Sequence, residues 1–229
     1  MSYEYSENKL VQDSAGNLLR DELGWDVSYA YNTEKLGVNG TFGRKSYREI
    51  VLWRYFKDAV FKLNPCLTES VYEDAVKKLE HHLASASLMQ INEEKYGYLR
   101  DGIPVMVKKP NGKTEQERVQ VFDFEDPENN HFLAVKELWI HNQFGLYRKR
   151  PDIIGFVNGI PLMFVEFKNH NVDVQDAYTC NYTDYLDTIT HLFYYNAFVV
   201  LSNGYEAKVG TIGSKYEFFH EWKRLKDDE

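Results

Sequence analysis

Three charged residues sit at the ends of the two most apolar stretches of the sequence. Asp152 precedes Ile153-Ile154-Gly155-Phe156-Val157, and Glu166 and Lys168 close Leu162-Met163-Phe164-Val165. Strands apolar on both faces are central strands covered on both sides, and a charge buried there is costly unless it is paired or coordinates a metal. Glu166 and Lys168 are two residues apart and share a face, while Phe167 points into the opposite layer. Two carboxylates and a lysine at one end of a hairpin suit a hard divalent cation with a cationic group beside it. The same spacing suits an internal ion pair at a strand end, so from the residues alone both readings stand.

The elements that must position these groups are legible as periodicity. Leu10, Val11, Ser14, Ala15, Leu18 and Leu19 predict a helix over Ser6 to Leu23, stopped by Gly24. A Gly-rich loop spans Leu36 to Ser46. A second helix is expected over Arg48 to Leu63, and Thr68 caps a third with a stripe of Val71, Tyr72, Ala75, Val76, Leu79 and Leu83. Strands are expected at Ile103 to Lys108, Glu117 to Phe124, Phe132 to Ile140, Asp152 to Val157 and Pro161 to Lys168, with turns at Asn111-Gly112, Asp126-Pro127 and Asn158-Gly159. A helix near Asp176 to Leu186 and strands Ala197 to Ser202 and Ala207 to Ile212 complete a mixed α/β chain, ending in a charged run, Lys223 to Glu229. The hairpin carries a geometric demand. A two-residue Asn158-Gly159 turn makes paired residue numbers sum to 317 and sends Asp152 and Glu166 to opposite faces. A shared site requires an even sum, for which a three-residue Val157-Asn158-Gly159 loop with a G1 bulge is expected.

Pro151-Asp152 followed by Glu166-Phe167-Lys168, with 13 residues between the carboxylates, fits the PD-(D/E)xK nuclease signature. The longer stretch Arg150 to Asn169 closely resembles the N-terminal nuclease domain of the restriction (R) subunit of type I restriction-modification enzymes. The resemblance extends to Asp123-Phe124, Pro127 and Asn130, to Leu192-Phe193-Tyr194-Tyr195-Asn196, and to Ser202-Asn203-Gly204 with Gly210-Thr211. It implies a PD-(D/E)xK restriction-endonuclease-like α/β fold, a mixed central sheet flanked by helices. It further implies a Mg²⁺-dependent endonuclease (Mn²⁺ substituting) acting on double-stranded DNA. In the full subunit such a domain works with an ATP-driven, helicase-like motor and with modification and specificity subunits. Asp152, Glu166 and the backbone carbonyl of Phe167 become metal ligands, and Lys168 the group that orients or deprotonates the attacking water. The superfamily also places an acidic residue on the first core helix, for which Glu7 is the candidate and Glu73 the reserve. Many members carry a Gln-x-x-x-Tyr motif after the metal strand; here Tyr185 matches, Asn181 stands at the Gln position, and Gln175 is four residues from Thr179 rather than a Tyr. Arg148-Lys149-Arg150 leads into Asp152 and suits phosphate contacts.

The remaining features bound the class. The chain has 229 residues, 27 basic and 35 acidic, and a formal charge of −8, which excludes a protein that coats nucleic acid nonspecifically. Hydrophobic residues make up 43%, so extensive disorder is excluded. No apolar run is long enough for a membrane span and the N-terminus carries no signal-peptide core. Cys66 and Cys180 lack metal-type spacing, so a cytoplasmic, reduced setting is expected. Gly43 and Lys45 are separated by Arg44, so Gly37 to Ser46 is no Walker A loop but a flexible one, basic enough to touch DNA. His81-His82 cannot both face one metal from a helix, and His191 is a packing or helix-end residue. The expected organisation is a single nuclease domain over 1–229, the N-terminal fragment of a larger R subunit, with 1–95 mainly helical and 96–215 forming the sheet core. Two other functions remain: a DNA-binding or docking module of the same fold without turnover, and another PD-(D/E)xK nuclease such as a repair enzyme.

Overall fold

The computed structural model describes residues 7–109 and 112–222, with side chains from Val11 onward. The Lys223 to Glu229 run, Asn111 of the expected Asn111-Gly112 turn and the Glu7 side chain lie outside the described residues. In chain order the elements begin with α1 (Glu7–Asp21), β1 (Asp26–Tyr29), α2 (Trp53–Leu63), α3 (Glu69–Glu80) and α4 (Leu88–Asp101). There follow β2 (Ile103–Lys108), β3 (Thr114–Val119), β4 (Phe132–Lys136), β5 (Ile140–His141), β6 (Arg148–Lys149), β7 (Ile153–Val157) and β8 (Ile160–Phe167). A helix then opens as α5 (Val174–Asp176), passes through a π-helical segment Ala177–Tyr182 and closes as α6 (Thr183–Thr188). Strands β9 (Phe198–Ser202), β10 (Ala207–Gly210) and β11 (His220–Glu221) finish the described chain.

A seven-stranded mixed sheet runs in the order β1-β4-β7-β8-β9-β10-β11, with β2-β3 and β5-β6 as separate ribbons. β7 and β8 are antiparallel at its centre, flanked by β4 and by β9, which runs parallel to β8. Side chains alternate between two cores. Ile153, Met163, Val165 and Phe167 pack with Leu19, Val11 and Ala15 of α1. Ile154, Phe156 and Phe164 join the larger core, which also holds Phe56 and Val60 of α2, Leu79 of α3, and Tyr182 and Tyr185 of the late helix. No helix among the described residues is long and apolar enough to cross a membrane.

Local chemistry sets the element ends. Gly24, at φ 69°, terminates α1, its N–H donating to the Arg20 carbonyl at 3.2 Å. Helix α2 begins at Trp53, five residues later than the periodicity suggests, because Val51 and Leu52 are buried and the Leu52 N–H donates to the Gly159 carbonyl at 2.9 Å. Helix α4 is not anticipated from its apolar pattern, but a capping box between Ser87 and Gln90 starts it and Gly102, at φ 84°, ends it. The expected strand Phe132 to Ile140 divides into β4 and β5 at Glu137, whose φ is 53°. The loop Leu36 to Ser46 is not a flexible basic loop. Its Arg44 is buried and donates two hydrogen bonds to the Glu34 carboxylate, at 2.8 and 2.6 Å, and others to the carbonyls of Glu49 and Trp139.

The hairpin corrects one expectation and meets the demand behind it. Asn158 and Gly159 both have positive φ, 49° and 79°, and Val157 pairs with Ile160, so the turn has two residues and not three. A bulge on β8 restores the phase: Phe156 pairs with Pro161 but Gly155 pairs with Met163, leaving Leu162 as the extra residue. Beyond it the register is Ile154 to Phe164 and Ile153 to Val165, an even sum of 318. Continued by one residue, that register sets Asp152 opposite Glu166. The turn glycine is fixed by its surroundings as well as by φ. A Cβ on Gly159 would lie 2.5 Å from the Leu52 carbonyl oxygen and 2.8 Å from the Phe56 nitrogen. Gly159→Ala is therefore expected to destabilise the fold by about 3 kcal/mol or more. Gly24→Ala, where φ is 69° and nothing lies within 4 Å, should cost about 1–2 kcal/mol from backbone conformation alone. Urea unfolding of the two variants measures both, and equal losses would remove the close approach to α2 as the cause.

Candidate active site

Glu166 is the penultimate residue of β8, with Lys168 just past its end, and Phe164, Glu166 and Lys168 face the late helix. Phe167 faces α1 in the other layer. The late helix meets the polar ends of Glu166 and Lys168. Asn181, inside the π-helical segment, donates from Nδ2 to Glu166 Oε1 at 2.5 Å and accepts from Lys168 Nζ at 2.5 Å. Tyr185, one turn on and buried, sits with its hydroxyl 3.5 Å from the same Oε1. A π segment widens the helix locally and re-aims its side chains, which brings Asn181 and Tyr185 to one carboxylate while Tyr182 turns into the core. Glu166 Oε2 is buried and has no hydrogen-bond partner; it is the one carboxylate oxygen in that condition among the described residues.

Asp152 is held from two directions. Its Oδ2 accepts the Phe167 N–H at 2.7 Å, and its Oδ1 accepts from Gln12 Nε2 at 2.5 Å. Gln12 is buried on α1 and is absent from the set the sequence suggests. The α1 stripe lies about one residue away from the periodic one: Gln12, Gly16 and Leu19 are buried, while Ser14 and Leu18 are exposed. Glu7 is the first residue of α1, and its side chain lies outside the described residues. The reserve candidate Glu73 is exposed on α3, away from this cluster.

The three basic residues that lead into Asp152 separate. Arg148 is exposed, with its guanidinium over the Trp139 ring at 4.8 Å. Lys149 pairs with Asp184 of α6. Arg150 stacks over Tyr31 at 4.0 Å and reaches Glu137 at 3.3 Å. Glu137 also donates its backbone N–H to the Asp152 carbonyl at 3.0 Å, which ties the strained residue to the start of β7. His191 is buried and held down to about 4, neutral, by its burial. His82 edges the Tyr194 ring, and both cysteines are exposed and unpaired.

Electrostatically both carboxyl groups are penalised by burial. Burial pushes Asp152 up to about 6, with the Phe167 N–H pulling down and the Glu137 charge pushing up. Burial and then the Asp152 charge push Glu166 well above the carboxylate range, against the pull of Lys168 and Asn181. Two carboxylates with raised pKa values, one of them carrying an unpartnered oxygen, are an all-oxygen donor set suited to a hard divalent cation. Among the described residues no group of three or more His, Cys, Asp and Glu side chains is placed to hold a metal ion.

A family profile described as type I restriction enzyme R protein N terminus matches residues 4–218. The "Type I restriction enzyme HindI endonuclease subunit" of Haemophilus influenzae is 35% identical over 221 residues, covering 95% of this chain and 20% of that protein. The "Putative type I restriction enzyme MjaIXP endonuclease subunit" of Methanocaldococcus jannaschii is 29% identical over 228 residues, covering 98% of this chain and 21% of that protein. The chain thus spans about a fifth of the length of the curated relatives it matches.

Both carboxyl groups titrate above their unfolded values, so without metal the folded protein holds more protons than the unfolded chain. For Asp152 that window runs from 3.8 to about 6, and stability is lost as the pH rises through it. Glu166→Gln keeps the acceptor for Asn181 and removes the buried charge. In EDTA at pH 8 it should be more stable than wild type by about 1–3 kcal/mol, with the gap closing toward pH 4. Parallel melting curves at every pH would show that the charge costs nothing.

Proposed function

The chain belongs to the type I restriction enzyme R protein N-terminus family, and from that premise we propose that it is the metal-dependent endonuclease domain of such an enzyme, hydrolysing phosphodiester bonds of double-stranded DNA. The observation that carries the reading is the buried, unpartnered Oε2 of Glu166, with the Asp152 carboxylate near enough to raise its pKa and Lys168 bridged to it through Asn181. The fold in this reading is the PD-(D/E)xK nuclease fold, with the part before residue 96 mainly helical and most of the sheet core in 96–215, to which β1 and β11 add strands from outside that range.

Asp152 and Glu166 would hold Mg²⁺, or Mn²⁺ in its place, with the Phe167 backbone carbonyl as a further donor. Bound there, the ion would polarise the scissile phosphate and make a coordinated water more acidic. The chain's own residues supply the rest. Gln12 and the Phe167 N–H fix the Asp152 carboxylate, and Asn181 fixes both Glu166 and Lys168. The Lys168 ammonium donates a hydrogen bond that orients the attacking water, whose proton passes to solvent, and offsets the negative charge that builds on the phosphate. The water oxygen bonds to phosphorus, one ester P–O bond breaks, and the leaving oxygen takes up a proton. Tyr185 supports the Glu166 carboxylate, and Arg148, the exposed one of the three basic residues, would meet the phosphate backbone. Modification and specificity subunits, and helicase-like motor domains in a longer chain, would choose the site and consume ATP; the nuclease step itself needs none.

A docking module relieved of turnover would have no use for two carboxylates whose burial raises their pKa values, and the family membership disfavours a repair nuclease. In the assembled enzyme, Lys168→Ala should abolish cleavage of unmodified DNA while ATP hydrolysis and the melting temperature stay at wild-type levels. Loss of ATPase activity in step with cleavage would make the lysine structural, and undiminished cutting would remove it from the chemistry.

A further inference from the structure

The β5-β6 ribbon projects from the molecule immediately before Asp152 and carries a combination that the nuclease chemistry leaves unused. Phe144 and Leu146, at its tip, are 78% and 77% exposed, the highest values for large apolar side chains among the described residues. They are displayed by an ordered loop. The Asn142 carboxamide oxygen accepts from the Leu146 and Tyr147 N–H groups at 2.8 and 3.3 Å. The Asn142 carbonyl accepts from Gly145 and its N–H donates to the Tyr147 carbonyl, both at 2.9 Å. Gly145 takes φ 74° at the point where the Arg48 guanidinium comes closest.

Around this apolar tip the charge is positive. His141 to Arg150 contains three cations and no carboxylate, in a chain of net charge −8. Lys149 and Arg150 are tied to Asp184 and Glu137, which fixes the base of the ribbon. Arg148 is exposed on the face of Trp139, and Arg48 lies under the tip. Burial, then the guanidiniums of Arg148, Arg48 and Arg44, hold His141 below its ordinary value and hence neutral. The nearest acidic groups from a packed element are Asp184, already paired, and Asp187, across the cleft that Asn142, Gln143 and Phe144 share with α6.

We propose that the β5-β6 hairpin is a groove probe, entering the minor groove of the duplex beside the scissile phosphate with Phe144 and Leu146 against base edges and sugars and Arg148 on the flanking backbone. This rests on the nuclease reading of Asp152 and Glu166. Apolar side chains flanked by arginines are the chemistry that fills a minor groove. The reach agrees: the six residues from Leu146 to Asp152 span at most about 20 Å, or about six base-pair rises of ~3.4 Å. Tip and catalytic carboxylate are therefore close enough to engage one duplex together.

The test is duplex binding by the full chain with Ca²⁺ in place of Mg²⁺, followed by fluorescence anisotropy across a salt series, with melting curves for every variant. Phe144→Ser with Leu146→Ser should weaken binding about tenfold at every salt concentration, leave the slope of log Kd against log salt unchanged and leave the melting temperature unchanged. Arg148→Ala should lower that slope by about one. The inference is overturned if the double variant binds duplex as wild type does, including the case in which it loses only its association with other subunits, which would make the tip a protein contact. A wild-type chain that binds no duplex at all would overturn the nuclease reading as well.

Discussion

Two carboxylates buried at the ends of adjacent central strands set the terms for the surrounding structure. Isolated in a low-dielectric interior, either charge is costly; burial raises both pKa values, and the Asp152 charge raises that of Glu166 further. Each neighbouring element supplies a compensating group. α1 sends Gln12 to Asp152, β8 gives the Phe167 N–H, and the late helix gives Asn181 to both Glu166 and Lys168. After these, Glu166 Oε2 remains without a partner. The carboxylates are thus compensated except at that oxygen.

Two departures from regular geometry make that arrangement possible. Without the Leu162 bulge, the two-residue turn at Asn158-Gly159 would run its odd register to the strand ends and separate Asp152 from Glu166 by the thickness of the sheet. The π segment does comparable work on the helix. Glu137 is a third local exception, its positive φ breaking the long strand so that β5 and β6 leave the sheet as a ribbon. The buried Arg44-Glu34 pair supports this corner from behind, because Arg44 also holds the Trp139 carbonyl, and the Trp139 ring carries Arg148 and Arg150. A pair with both partners buried contributes little net stability against apolar packing, yet removal of one partner leaves an unpaired charge. Its role here is positional.

The sequence makes some of this legible and hides the rest for physical reasons. Asp152, Glu166 and Lys168 stand out because charge among apolar strand residues has few explanations, and Asn181 and Tyr185 follow from a family pattern that Asn181 only partly keeps. Gln12 is hidden because a polar residue on an amphipathic helix reads as solvent-facing, and the exposed Leu18 pulls the apparent stripe off its true face. β1 is four residues long and half exposed, so it leaves no alternation to detect; only its parallel pairing with β4 makes it a strand. The hairpin turn is legible in Asn158-Gly159, while the bulge beyond it depends on how Pro161 and Leu162 pack and has no local signature. The Gly-rich loop looks mobile by composition, but the buried Arg44, bonded to Glu34 and to the carbonyls of Glu49 and Trp139, fixes it.

The central claim is that a divalent cation completes the charge balance between Asp152 and Glu166. A crystal of the protein soaked in Mn²⁺, measured for anomalous scattering, tests it most directly. The account predicts one strong anomalous peak bonded to oxygens of both carboxylates, absent from a crystal of the Asp152→Ala variant treated in the same way. No peak between the two carboxylates at saturating Mn²⁺, or the same peak in the variant, would contradict it.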